Sequence, residues 1–133
     1  MGFTQPVGAA SSDGERLEVP CAPDHVHAAH TVIVLTDAAT IDVPSEDGDD
    51  FRVTLGGDRT LGDPDSAVDG QRMFVQVTQD GTGSRTLAYA SGYDWGTAGA
   101  PTLTTTAGKT DLLEFVYNAA VGKWLGLRCV KGF

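Results

Sequence analysis

Basic residues are scarce in this chain. Nine Lys and Arg face 18 Asp and Glu, for a formal net charge of −9. Phosphate neutralisation needs clustered Lys and Arg, so direct nucleic-acid binding is disfavoured. Long apolar runs are missing too: nothing approaches the ~20 residues a membrane helix requires, so no membrane partner is expected. The start, Met1-Gly2-Phe3-Thr4-Gln5-Pro6, lacks the basic n-region and apolar h-region of a signal peptide. Gly2 also lacks the downstream Ser or Thr of a myristoylation signal. These absences predict a protein made in a cytoplasm with no export route of its own. Cysteine is limited to Cys21 and Cys129. Reduced thiols are the default in such a compartment. Whether the two pair depends on their Cα separation, which sequence leaves open.

Catalytic constellations are missing as well. No HExxH, CxxC or Gly-x-Ser-x-Gly occurs. Ser91, in Ala90-Ser91-Gly92, has no neighbour to activate it. Ala107-Gly108-Lys109-Thr110 ends like a phosphate-binding loop, but Leu103 stands where the first Gly is needed and a strand pattern follows instead of a helix. Asp47-Gly48-Asp49-Asp50 begins like a calcium loop, yet Phe51 falls on a ligand position, which excludes an EF-hand. The three histidines sit together in His25-Val26-His27-Ala28-Ala29-His30, with Cys21 four residues ahead. Two imidazoles at His-x-His spacing share one face of a strand, but a zinc site wants three or four oriented ligands. Polar or interface roles for His25, His27 and His30 therefore outweigh metal binding. The expectation is a protein that is not an enzyme and needs no cofactor.

What is present is β pattern. Hydrophobic residues make up 41% of the chain, too many for disorder by composition, and the length suits one domain. Residues 1–30 carry Pro6, Pro20 and Pro23 with sparse apolar points, which reads as an extended N-terminal arm. From Thr31 the chain alternates with period two. Thr31–Thr36 is a short apolar run suited to a buried strand, and Ala39–Val43 alternates up to Pro44. Phe51, Val53 and Leu55 share a face, and Gly56-Gly57-Asp58 reads as a hairpin turn into Arg59–Leu61. Met73, Val75 and Val77 share another face, and Asp80-Gly81-Thr82-Gly83 predicts a hairpin with Arg85–Tyr89. A further hairpin joins Leu113–Asn118 to Lys123–Val130, with Leu113, Phe115, Leu125 and Leu127 as core positions. No internal repeat is visible. Strands separated by regular turn signals argue for an all-β domain over 31–133: an antiparallel β-sandwich or small barrel of about eight strands. The acids concentrate between Asp42 and Asp69, where nine face two arginines. That strip is expected on solvent.

One stretch carries a family resemblance. Asp69-Gly70-Gln71 is followed by the strand Met73–Gln79 and the turn Asp80-Gly81-Thr82-Gly83-Ser84. Pro101–Lys109, the strand Asp111–Asn118 and Trp124-Leu125-Gly126 then complete it. From Thr40 to the C-terminus this order resembles a small β-domain that recurs in tailed-phage virion proteins, in capsid decoration proteins, head fibres and tail fibres. The resemblance implies a structural or binding role in a virus particle made in the host cytoplasm. With only one domain and a short lead-in, it implies first a capsid decoration protein on the outer capsid surface. Such a protein would bind the major capsid protein and stabilise the shell, as a homo-oligomer with three copies the first choice. The alternative is a glycan- or host-binding module of a head or tail fibre. Tyr93 and Trp95, in a Gly-rich loop, are the candidate glycan or partner contacts, with packing as the competing role.

Overall fold

A computed structural model describes residues 31–133, of which Val32–Phe133 form one compact unit. The expected arm, the three histidines and Cys21 lie outside the described residues. The described chain is all-β, with nine strands: β1 (Val32–Val34), β2 (Thr40–Val43), β3 (Asp50–Leu55), β4 (Arg59–Pro64), β5 (Arg72–Gln79), β6 (Leu87–Tyr89), β7 (Tyr93–Asp94), β8 (Thr110–Asn118) and β9 (Lys123–Val130). One 3-10 turn, Gly96–Ala98, follows β7.

The pairing differs from an antiparallel sandwich. β1, β3 and β5 stack in parallel in a six-stranded sheet of order β1-β3-β5-β8-β9-β7. β2, β4 and β6 stack in parallel in a second, three-stranded sheet. The chain thus alternates between two sheets for three successive rungs, each laid on the one before, as in a short β-solenoid. β8 alone is reversed, antiparallel to both β5 and β9, and β7 then adds to β9 in parallel. The sheets stay open, so there is no closed barrel.

Two of the three expected hairpins are therefore rung corners. Gly56 and Gly57 lack the positive φ of a primed hairpin turn. Their value is close approach: a Cβ on Gly56 would lie 2.7 Å from the Asp37 carboxylate, and one on Gly57 2.9 Å from the Arg59 guanidinium. At the next corner Asp80 Oδ1 accepts from the Thr82 and Gly83 amides, both at 3.0 Å, and Gly83 has φ 74°. This local hydrogen bonding turns β5 out of its sheet instead of folding it back on itself. The β8–β9 hairpin forms as expected. Asn118 Oδ1 accepts from Ala120 N at 2.9 Å, and Gly122, at φ 75°, returns its N–H to Asn118 O at 2.8 Å.

Inward faces from both sheets make one core. Ile41, Val43 and Leu61 meet Phe51, Val53, Leu55, Met73, Val75, Val77, Leu113 and Phe115. The alternation of β3 and β5 is that read from sequence. β9 departs from it. Glu114 pairs with Arg128 while Phe115 pairs with Gly126, so Leu127 is the extra residue of a β-bulge. The bulge shifts the inward phase. Trp124 is buried, Leu125 is half-buried on the other side, and Leu127 is 46% exposed. Leu113 and Phe115 are core residues; Leu127 is not. β1 also deviates from the expected buried strand. As a sheet edge it leaves Val34 71% exposed, and only Ile33 packs against the core.

Candidate binding surface

The aromatic residues converge where β6, β7 and β9 meet. Tyr93 is buried, and its hydroxyl donates to Gly62 O at 2.7 Å. Its ring lies 6.0 Å from Tyr89 and 5.1 Å from Phe115. Trp95 is half-buried, 5.4 Å from Tyr89 and 5.1 Å from Phe115. The Trp95 ring lies flat against Gly126, where any Cβ would overlap it. Burial pushes both the Tyr89 and Tyr93 phenols far above their ordinary range. The structure thus joins Tyr93 and Trp95 in one cluster, with the Tyr93 ring turned into the core and only Trp95 keeping an accessible edge. Solvent-exposed Gly96–Ala98 and residues 99–100 continue from it. Cys129 is half-buried against the core, and its thiol is pushed up by burial and by the Asp111 carboxylate.

A second feature is a column of charged corners. Asp37, after β1, takes Arg59 of the next rung at 2.8 Å and the Gly56 amide at 3.2 Å. Asp58, after β3, accepts from the Thr86 amide of the rung beyond at 3.0 Å. Asp80, after β5, pairs with Arg85 at 3.0 Å. The Arg59 and Arg85 guanidinium groups hold the Asp37 and Asp80 carboxyls below their usual range, and the Thr86 amide does the same for Asp58. Beside this column Gln79 is buried and fully used. Its Nε2 donates to Arg85 O and Thr104 O, and its Oε1 accepts from Arg85 N, all at 2.9 Å.

The opposite corners are acidic. Loops β2–β3 and β4–β5 enclose an open cleft lined by Glu46, Asp47, Asp49, Asp69 and Gln71. Hydrogen bonds between Ser45 and Ser66, and from Gln71 Nε2 to Asp49 Oδ1 at 3.0 Å, hold the loops together. Glu46, Asp47, Asp49, Asp65 and Asp69 are exposed, as the charge strip predicts. Among the described residues, no group of three or more His, Cys, Asp or Glu is placed to hold a metal. No helix there is long and apolar enough to cross a membrane.

The outer face of the six-stranded sheet has the reverse character. Register and alternation put Val34, Arg52, Gln76, Leu112 and Val130 in one row, and Asp50, Phe74, Glu114 and Arg128 in the next. Arg72, Val116, Leu125 and Asp94 follow, and then Asn118 and Lys123. Three arginines and Lys123 here meet Asp50, Glu114 and Asp94, whereas the other described residues hold eleven acids and four bases.

Residues 39–121, from just before β2 into the β8–β9 turn, match the family described as "Putative phage tail fibre C-terminal domain". The chain belongs to that family. No curated protein and no solved structure matches it. A tail fibre domain is a virion structural module, so this chain is a β-rich phage structural protein. The family match spans all three parallel rungs except β1. The tail fibre domain keeps its charged column and its sheet face on residues that sequence alone left unassigned. The nearly even spacing of Asp37, Asp58 and Asp80 was the available signal for stacked corners. The sheet face had none, because the bulge hides the true phase of β9.

Proposed function

We propose that this domain is a host-contacting module of a phage tail fibre. One observation carries the proposal: the family match is to a tail fibre C-terminal domain and covers most of the described fold. That match favours the fibre over capsid decoration, because the sequence resemblance was common to both. Membership of a structural family also argues against a catalytic role. Host contact would fall to exposed loops held by rigid strands, where binding residues concentrate on such scaffolds. The best placed is the segment after Trp95, whose half-buried ring anchors exposed Gly96–Ala98. Tyr93 would support that anchor from the core and would not itself meet a glycan.

The test compares labelled full-length protein on host cells and on purified capsids without tails. Saturable binding to cells and none to capsids supports the fibre proposal. Saturable capsid binding without cell binding would return the protein to shell decoration. Trp95→Ala should reduce cell binding if the anchored loop makes the contact.

A further inference from the structure

The net-positive, partly apolar sheet face sits on a strongly acidic protein. Arg52 and Arg72 are exposed, and neither has an ion-pair partner among the described residues. Arg128 is already engaged by Glu114. Between the arginines lie half-buried Phe74, Leu112 and Val116, with Val130 42% exposed. An apolar strip framed by unspent positive charge is the composition of a protein contact surface. A complementary surface exists on the same chain. The β2–β3 and β4–β5 loops present Glu46, Asp47, Asp65 and Asp69 as a preorganised acidic corner.

We propose that the outer face of the six-stranded sheet is a contact surface for a second copy of this chain, which docks its acidic β2–β3 and β4–β5 corner against Arg52 and Arg72. The contact is heterologous: two different patches meet, so each copy offers one patch of each kind. Repetition closes into a ring if the rotation between copies permits. Charge complementarity favours this pairing over face against face, which would bring Arg52 and Arg72 onto their own equivalents. The interface does not depend on whether the particle carries the domain on a fibre or on its shell.

Light scattering coupled to size-exclusion chromatography of the full chain tests it. The unaltered protein should associate at high micromolar concentration and weaken as salt rises. Reversing the face with Arg52→Glu and Arg72→Glu should raise the apparent dissociation constant at least about tenfold. Adding Glu46→Lys and Asp47→Lys to that same chain should restore part of the association, because two of the corner's acids then become bases that can pair with the reversed face. All four positions are exposed, and an unchanged near-ultraviolet CD spectrum verifies folding. If a variant loses that spectrum, the salt titration of the unaltered chain decides instead. A strictly monomeric chain, association indifferent to salt, or a reversed face that associates as before would each overturn the proposal. So would a folded fourfold variant that stays monomeric.

Discussion

Gly126 shows how far one missing side chain can matter. The Trp95 ring occupies the space a Cβ would need, and the neighbours on that ring are themselves packed. Gly126→Ala should therefore destabilise the domain by about 1–3 kcal/mol through overpacking. A denaturant midpoint equal to that of the unaltered protein would show that Trp95 moves aside freely. Phe115 makes the opposite case. It is fully buried and touches Tyr93 and Trp95. Phe115→Ala should cost about 3–5 kcal/mol by leaving a cavity, read from the same midpoint. Both predictions concern inward positions, yet only Phe115 was legible in the alternation. Gly126 became inward because Leu127 bulges, and no residue type announces a bulge. The corner carboxylates contribute to the acid limb of stability. Asp37 and Asp80 have folded values below their ordinary 3.8. Their contribution is therefore full above that value and is lost as pH falls through the lower folded ones. The thermal midpoint should drop as pH is lowered below about 4, and Asp80→Asn should make that drop shallower.

At the scale of elements, period-two alternation located most strands but not their partners. Ile41, Val43, Phe51, Val53, Leu55, Met73, Val75 and Val77 all face inward as their spacing implies. Alternation is the same whether a strand pairs with its chain neighbour or with the strand after next. Turn composition pointed the wrong way, because Gly56-Gly57-Asp58 reads as a hairpin when considered alone. What decides is across the rung: Asp37 fills the space above Gly56 and the Arg59 guanidinium that above Gly57, and the two meet there. The order of protection follows from the true topology. β5 and β8 are flanked on both sides, whereas β1 and β7 are edges. Amide exchange should be slowest in β5 and β8 and fastest in the short edge strands. Equal protection of β1 and β5 by hydrogen-exchange mass spectrometry would contradict the parallel stack.

For the molecule as a whole, charge is sorted instead of spread. Acids crowd the β2–β3 and β4–β5 corners, while the broad sheet face carries four bases against three carboxylates. The acidic strip was legible because it is contiguous in sequence. The arginine face was not, because Arg52, Arg72 and Arg128 meet only through strand pairing. One consequence can be checked by cleavage. Glu46 lies in an exposed loop, and Glu114 is buried in a central strand. A glutamate-specific protease acting on the native domain should cut after Glu46 and spare Glu114. Cleavage at Glu114 first would mean that β8 opens before the acidic loop does.

The stacked rungs also give the domain a mechanical direction. Tension applied between residue 31 and Phe133 first loads β1, whose three residues are held to β3 alone. At the far end Phe133 exchanges two backbone hydrogen bonds with Thr110, and β8 is clamped between β5 and β9. Extension should peel the parallel rungs in sequence from β1 while the β5–β8–β9 block holds. The molecule would then yield in several small force steps, like a zip opened from one end, and absorb strain without losing its last ordered block at once.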